Sequence, residues 1–251
     1  MSISSAPPPD DGAPPRGVMD ADYARGRRDG VLTFRYRCRA LEAARAYRRL
    51  GPRDAQRPRI LDLGAAEGRT LAHLCGLLDA PRGLGIEYAP ALVAAAPPLP
   101  AHVALREGDA TQPHPDVAPG SWDLVTALAV LEHLDEPVDL LRQARRALRP
   151  GGLLVASCPA PHWDRISGRL GLHRDAYHAG DVDGRRFRQL AREAGLTVLE
   201  TVPFMWAPVG FLPYLGVAVS PRFAASVDAL VRLPHVLDAT FVNQRFVARA
   251  V

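Results

Sequence analysis

The residues of this chain best placed to bind a polar ligand are carboxylates at the ends of short apolar runs, each followed by glycine or another small residue. The first run reads Arg59-Ile60-Leu61-Asp62-Leu63-Gly64-Ala65-Ala66-Glu67-Gly68. An apolar stretch ends in an acid and enters a turn where Gly64 and Gly68 let the backbone bend sharply and approach a ligand. Leu71, Leu74 and Leu78 follow at helical spacing. The pattern predicts a strand, a tight loop and a helix, with loop amides and the helix N-terminus facing a nucleotide-type ligand. The dinucleotide-binding fingerprint asks for a third glycine where this chain has Ala66, and a phosphate-binding P-loop asks for a lysine, of which the chain has none.

Further acids recur downstream. Gly83-Leu84-Gly85-Ile86-Glu87 is a second short strand, and its acid stands where a ribose-binding carboxylate is expected. Val103 to Ala110 gives a third strand, with Asp109 suited to accept from an adenine amino group. Trp122 to Leu134 supplies a fourth strand and the start of a loop. Arg149-Pro150-Gly151-Gly152 then turns into a fifth, Leu153 to Ser157. His133, just after the fourth strand, has two readings. Its imidazole can take a proton from a hydroxyl near neutral pH, or it can brace the pocket through loop backbone. Glu132 beside it reads as a pocket or loop-bracing carboxylate.

Taken in order, Leu-Asp-Leu-Gly-x-x-x-Gly, Glu87, Gly-Asp-Ala, Trp-Asp-Leu-Val, Leu-Glu-His-Leu and Leu-Arg-Pro-Gly-Gly resemble the class I S-adenosylmethionine-dependent methyltransferases over roughly residues 58 to 204. The resemblance implies S-adenosylmethionine as the cofactor. It implies that Asp62 orders the first loop, that Gly64, Ala66 and Gly68 face the methionine portion, that Glu87 takes the ribose, and that Asp109 and Ala110 frame the adenine. Ala127, on the fourth strand, completes the cofactor-binding set. Many members carry glycine at the position of Ala66, and alanine suits the loop if it keeps a negative φ. Some ubiquinone-pathway relatives resemble a metal-binding Glu-x-x-Glu-His with a further histidine. Here Ala129 replaces the first acid, so no metal is expected even with His178 as a distant ligand.

These residues need a scaffold. Strands separated by helical segments predict an α/β, doubly wound, Rossmann-like sheet of seven strands, mostly parallel with an antiparallel last strand, and helices on both faces. The chain divides into a Pro-rich tail at 1–30 expected to be disordered, a helical cap at 31–57, a cofactor-binding core at 58–204, an apolar insertion at 205–240 and the last strand at 241–251. The helix between the fourth and fifth strands reads as capped by Asp135, with Pro137 in its first turn and a stripe of Leu134, Val138, Leu141, Ala144 and Leu148. A helix from Gly184 to Ala194 leads through Gly195 into a sixth strand, Leu196 to Val202.

With 251 residues, 47% of them hydrophobic, the chain can bury a large core. Residues 25 to 59 hold twelve arginines against Asp29, Glu42 and Asp54, yet the whole chain carries only +4. With no RNA-binding module and no aromatics interleaved with the arginines, a solvated face is the expectation and nucleic acid is not expected as a partner. Cys38, Cys75 and Cys158 match no metal or disulfide spacing, and the first residues form no apolar targeting segment, so a cytoplasmic protein with reduced thiols is expected.

Phe204 to Val219 carries no charge, but its sixteen residues fall short of the roughly 20 that span a bilayer. It reads as a lid over an apolar acceptor, a peripheral membrane contact, a dimer surface or a packed helical insertion. Trp206, Phe211 and Tyr214 are the candidate acceptor contacts, joined by Tyr177 and His178 after the fifth strand. The expected reaction is methyl transfer to a small apolar or aromatic acceptor, at oxygen. Transfer to carbon or nitrogen, or a silent cofactor-binding protein of the same fold, are the alternatives. The sequence sets no oligomeric state.

Overall fold

Short runs of branched and small apolar residues separated by amphipathic helices build one sheet with a helical layer on each face. The computed structural model describes residues 30–169, 180–233 and 236–250, without the side chains of residues 164 and 167–169. In chain order the elements are α1 (Gly30–Leu50), β1 (Arg59–Leu63), α2 (Arg69–Leu78), β2 (Arg82–Glu87), α3 (Pro90–Ala94), β3 (Val103–Glu107), β4 (Trp122–Leu128), α4 (Pro137–Ala147), β5 (Leu148–Pro159), α5 (Pro161–Arg169), α6 (Gly184–Glu193), β6 (Leu196–Trp206), α7 (Ala207–Gly210), α8 (Pro221–Val231) and β7 (Phe241–Ala250).

The strands lie in the order β3-β2-β1-β4-β5-β7-β6. β7 runs antiparallel to both β5 and β6, while the pairs among β1 to β5 are parallel. The predicted sheet is therefore present. Because side chains alternate across a strand, each face receives its own apolar set. Leu61, Val125, Leu154 and Phe246 meet Val138 and Leu141 of α4 and Phe187 and Leu190 of α6. Phe187 and Phe246 stack with centroids 4.4 Å apart. On the other face Ile60, Leu124, Val155 and Val247 meet Ala40, Ala44 and Tyr47 of α1 and Leu71 and Leu74 of α2. The alanines of α1 let that helix lie close to the sheet.

Strand order reverses between β1 and β4, and the carboxyl ends of those two strands open the crevice where α/β sheets bind ligands. Three local expectations need correction. The N-cap of α4 is Glu136 rather than Asp135, and no side chain caps it; Pro137 already holds the first helical turn. β5 starts at Leu148, so the Arg149–Gly152 segment lies within the strand as a kink with Gly151 at φ 77°. β6 continues to Trp206, so Phe204 and Met205 are core residues, 1% and 2% exposed, and the segment between the last two strands begins at Ala207.

That segment is held to the body by α1. Phe34 and Cys38 of α1 pack with Phe204, Met205, Val209 and Ala224 in one cluster. Asp228 of α8 is 2% exposed, and its carboxylate accepts from the N–H of Met205 at 2.7 Å and of Trp206 at 2.8 Å. These bonds secure Met205, which has φ 64°, a conformation costly for a side chain of this size. Cys38, Cys75 and Cys158 are all free and buried.

Candidate active site

The loop after β1 is a tight hairpin of backbone. The N–H groups of Gly64 and Ala65 both donate to the carbonyl of Ile86, at 2.9 and 3.1 Å, and Gly68 N–H donates to Ala65 O at 2.9 Å. Gly64 and Gly68 both have φ 78°. A Cβ on Gly64 would stand 2.6 Å from Val130 Cγ2, so only glycine lets the loop after β4 pass this close. Ala66 also has a positive φ, 48°, against the expectation of a negative one. The strain is held in place by its surroundings. Ala66 N–H donates to Glu87 Oε2 at 2.7 Å, and its methyl packs on Ala89 and Leu92.

Asp62, 2% exposed, accepts from Thr126 Oγ1 at 2.6 Å. This bond crosses from β1 to β4 and fixes the base of the loop. Glu87 ends β2 and accepts a second bond, from Ala89 N–H at 2.9 Å. Asp109 lies past the end of β3, where its Oδ1 accepts from Thr111 N–H and Thr111 Oγ1, at 2.8 and 2.7 Å. Asp109 and Ala110 border a narrow cavity together with Leu63 and Ile86. Ala127 departs from the others. It is fully buried, and its side chain belongs to the core cluster that includes Leu63 and Val138 and Leu141 of α4. The nearby backbone at Ala129, with φ 59° and its N–H on Ser157 O at 2.8 Å, is where β4 turns over the crevice.

His133 ends the short 3-10 turn Leu131–His133 and is half-buried. The turn follows directly on Val130, whose side chain packs over Gly64. Glu132 is 4% exposed. Burial pushes the Cys158 thiol well up, and the adjacent Glu132 carboxylate, to which the thiol is hydrogen-bonded, pushes it further. Among the described residues, the buried atoms Glu132 Oε2, Ser157 Oγ and Asn243 Oδ1 have no hydrogen-bond partner. Ser157 faces Arg245 across the β5–β7 pair, so Ser157 and Asn243 are diagonal neighbours on one face. Neither was anticipated. Both sit in strands whose sequence shows no polar motif, and only the pairing register brings them together.

Of the expected acceptor contacts, Phe211 and Tyr214 are joined with centroids 5.7 Å apart, and Phe211 meets Trp163 of α5 at the same distance. Arg35 of α1 donates to Tyr214 Oη at 3.2 Å. Trp206 is half-buried against the Phe34–Phe204 cluster. Tyr177 and His178 lie outside the described residues. Among the described residues no group of three His, Cys, Asp or Glu side chains converges as a metal site.

The methyltransferase domain family matches residues 34–201, from the first turns of α1 into β6. The chain belongs to this family. It is thus a class I, S-adenosylmethionine-dependent methyltransferase domain with the Rossmann-like fold. An uncharacterised 37.1 kDa protein in a Streptomyces fradiae transposon is 35% identical over 182 residues, which are 64% of this chain and 51% of that protein. A probable S-adenosylmethionine-dependent methyltransferase of Mycolicibacterium smegmatis is 30% identical over 159 residues, 62% of this chain and 58% of that one. The chain spans only about half to three fifths of these two relatives. A ubiquinone biosynthesis O-methyltransferase of Pseudomonas aeruginosa is 31% identical over 163 residues, 60% of this chain and 69% of its own. Among solved structures, a chain of the complex between a Haloferax volcanii methyltransferase activator and a methyltransferase superposes with a TM-score of 0.65 at 19% identity, covering 93% of this chain and 99% of that one.

Proposed function

We propose that this methyltransferase domain methylates a small apolar or aromatic acceptor at oxygen. The observation that carries the donor half is the strained loop at the strand-order reversal. Gly64 and Gly68 hold left-handed backbone, Ala66 is held there by Glu87, and Asp62 is fixed by Thr126. A cradle with no room for a Cβ at its base fits a nucleoside-like ligand approached by backbone.

When bound, S-adenosylmethionine supplies an electrophilic methyl group on a sulfonium. The tasks left to the protein are to hold the acceptor in line, exclude water and remove a proton. In this reading Gly64, Ala66 and Gly68 face the methionine portion, Glu87 the ribose, and Asp109 and Ala110 the adenine. Each Glu87 oxygen already accepts from a loop amide, which fixes the carboxylate in place to face the ribose hydroxyls.

Trp163, Phe211 and Tyr214 form the apolar wall of the acceptor side, with Trp206 behind them. Ligand sites pair such walls with a few polar groups, here Glu132, Ser157 and Asn243. His133, half-buried three residues past the valine that covers Gly64, is the base that takes the acceptor proton. A buried acid beside an imidazole and the name of the Pseudomonas aeruginosa relative both favour oxygen as the acceptor atom.

The test is incubation of the protein with methyl-tritiated S-adenosylmethionine and matched sets of phenols, carboxylic acids and amines. Tritium should enter the organic phase with the phenols. Transfer confined to amines would replace the oxygen assignment.

A further inference from the structure

Large hydrophobic side chains left in water cluster in one part of this molecule. Of the eleven exposed ones among the described residues, eight lie between Tyr214 and Leu237. Leu215, Leu230, Leu233 and Val236 are 78%, 68%, 72% and 80% exposed. An apolar cluster of this kind marks an interaction surface. α8 shows how it is built. Ala224, Ala225 and Asp228 are buried toward the body, while Phe223 and Leu230, two helical turns apart, point outward on one face.

The exposed charge around this surface is mostly positive. Between residues 207 and 237 the ionisable side chains other than histidine and tyrosine are Arg222, Asp228 and Arg232. Asp228 is buried, with both carboxylate oxygens on backbone N–H groups, and Arg232 is half-buried with its guanidinium on the Pro203 carbonyl at 2.8 Å, which leaves Arg222 as the exposed charge of the segment. Arg35, donating to Tyr214 Oη, adds a third guanidinium at the rim, and the exposed Asp238 stands at the far edge.

We infer that this face docks on an anionic lipid bilayer. Side chains exposed by 68 to 80% stand proud of the surface rather than line a groove, so they suit penetration of a soft apolar phase more than fit against a shaped partner. Leucine, valine and phenylalanine flanked by arginine are the side chains of helices that lie in the headgroup region. A negatively charged leaflet attracts the arginines without specific pairing. The surface also runs into the aromatic group Tyr214, Phe211 and Trp163, so docking would bring a bilayer-dissolved molecule beside that wall. The docking inference does not depend on what the wall binds.

The test is co-sedimentation of the full chain with vesicles of phosphatidylcholine alone or mixed with phosphatidylglycerol. Retention is expected on the mixed vesicles, and it should fall as salt is raised. The double variant Phe223→Glu, Leu230→Glu should lower the bound fraction about tenfold or more, with S-adenosylmethionine binding and the thermal melt unchanged. Should the double variant melt early, Arg222→Glu gives a second measurement at a surface position and should also weaken retention. Equal retention on both vesicle types, no retention on either, or unchanged retention of the variants overturns the inference. A dimer in sedimentation equilibrium that these substitutions dissociate, without vesicle binding, would assign the face to self-association instead.

Discussion

The carboxylate of Glu87 bridges two loops: it accepts from Ala66 N–H at 2.7 Å and from Ala89 N–H at 2.9 Å. One side chain at the end of β2 therefore sets the shape of the loop after β1 as well as that of its own. If Glu87 takes the ribose as proposed, Glu87→Ala should weaken S-adenosylmethionine binding by about 1 to 3 kcal/mol, since it would remove those contacts and leave two amides to be satisfied by water. Glu87→Gln, which keeps oxygen on one amide only, should fall between. Calorimetry with S-adenosylmethionine and its demethylated product measures both, and wild-type affinity in Glu87→Ala would refute the assignment.

Ala66 and Gly64 make a paired test of backbone strain. Ala66→Gly relieves about 1 to 2 kcal/mol of left-handed strain. It gives back a similar amount through one buried methyl and a freer unfolded chain. Stability should change by less than about 1 kcal/mol, with the cofactor still bound. Gly64→Ala places a Cβ 2.6 Å from Val130 at φ 78°. It should cost more than about 2 kcal/mol and abolish binding. Urea denaturation of both variants decides this, and equal tolerance of the two would show that the loop is not confined as described.

If His133 removes the acceptor proton, His133→Ala should lower turnover roughly 100-fold with little change in cofactor affinity. Single-turnover rates and calorimetry on one preparation separate the roles. Loss of cofactor binding with the rate would identify a bracing residue.

Asp228 ties stability to pH. Burial raises its carboxyl pKa above 3.8, outweighing the Trp206 and Met205 amide bonds that lower it. The folded protein thus prefers the protonated group more than the unfolded chain does. Its contribution is complete below the unfolded value and is lost as pH rises through the raised folded value. The stability of wild type relative to Asp228→Asn should therefore decline as pH increases above about 4. Urea midpoints for the two proteins across that range test the sign, and a difference that grows with pH would contradict it.

Much of this protein is legible in its sequence because the signals are local. Asp62-Leu63-Gly64 and Gly68 announce a turn, since left-handed backbone at the end of a buried strand selects glycine. The alternation of apolar runs with amphipathic segments specifies seven strands and two helical layers. The order of acids along the chain points to the family, and the family match over residues 34–201 agrees.

Other features required the tertiary structure. The left-handed φ of Ala66 follows from a carboxylate 21 residues away and from the packing of its methyl, neither visible in the loop's own residues. Ala127 lies on β4, and the pleat turns its side chain into the core. Ser157 and Asn243 meet through the β5–β7 register. The uncharged stretch after β6 divides into a buried part, Phe204 and Met205, and an exposed part around Leu215 and Leu230. Composition cannot make that division. It depends on where β6 ends and on Asp228 reaching back to hold that end, a long-range contact that no local periodicity encodes.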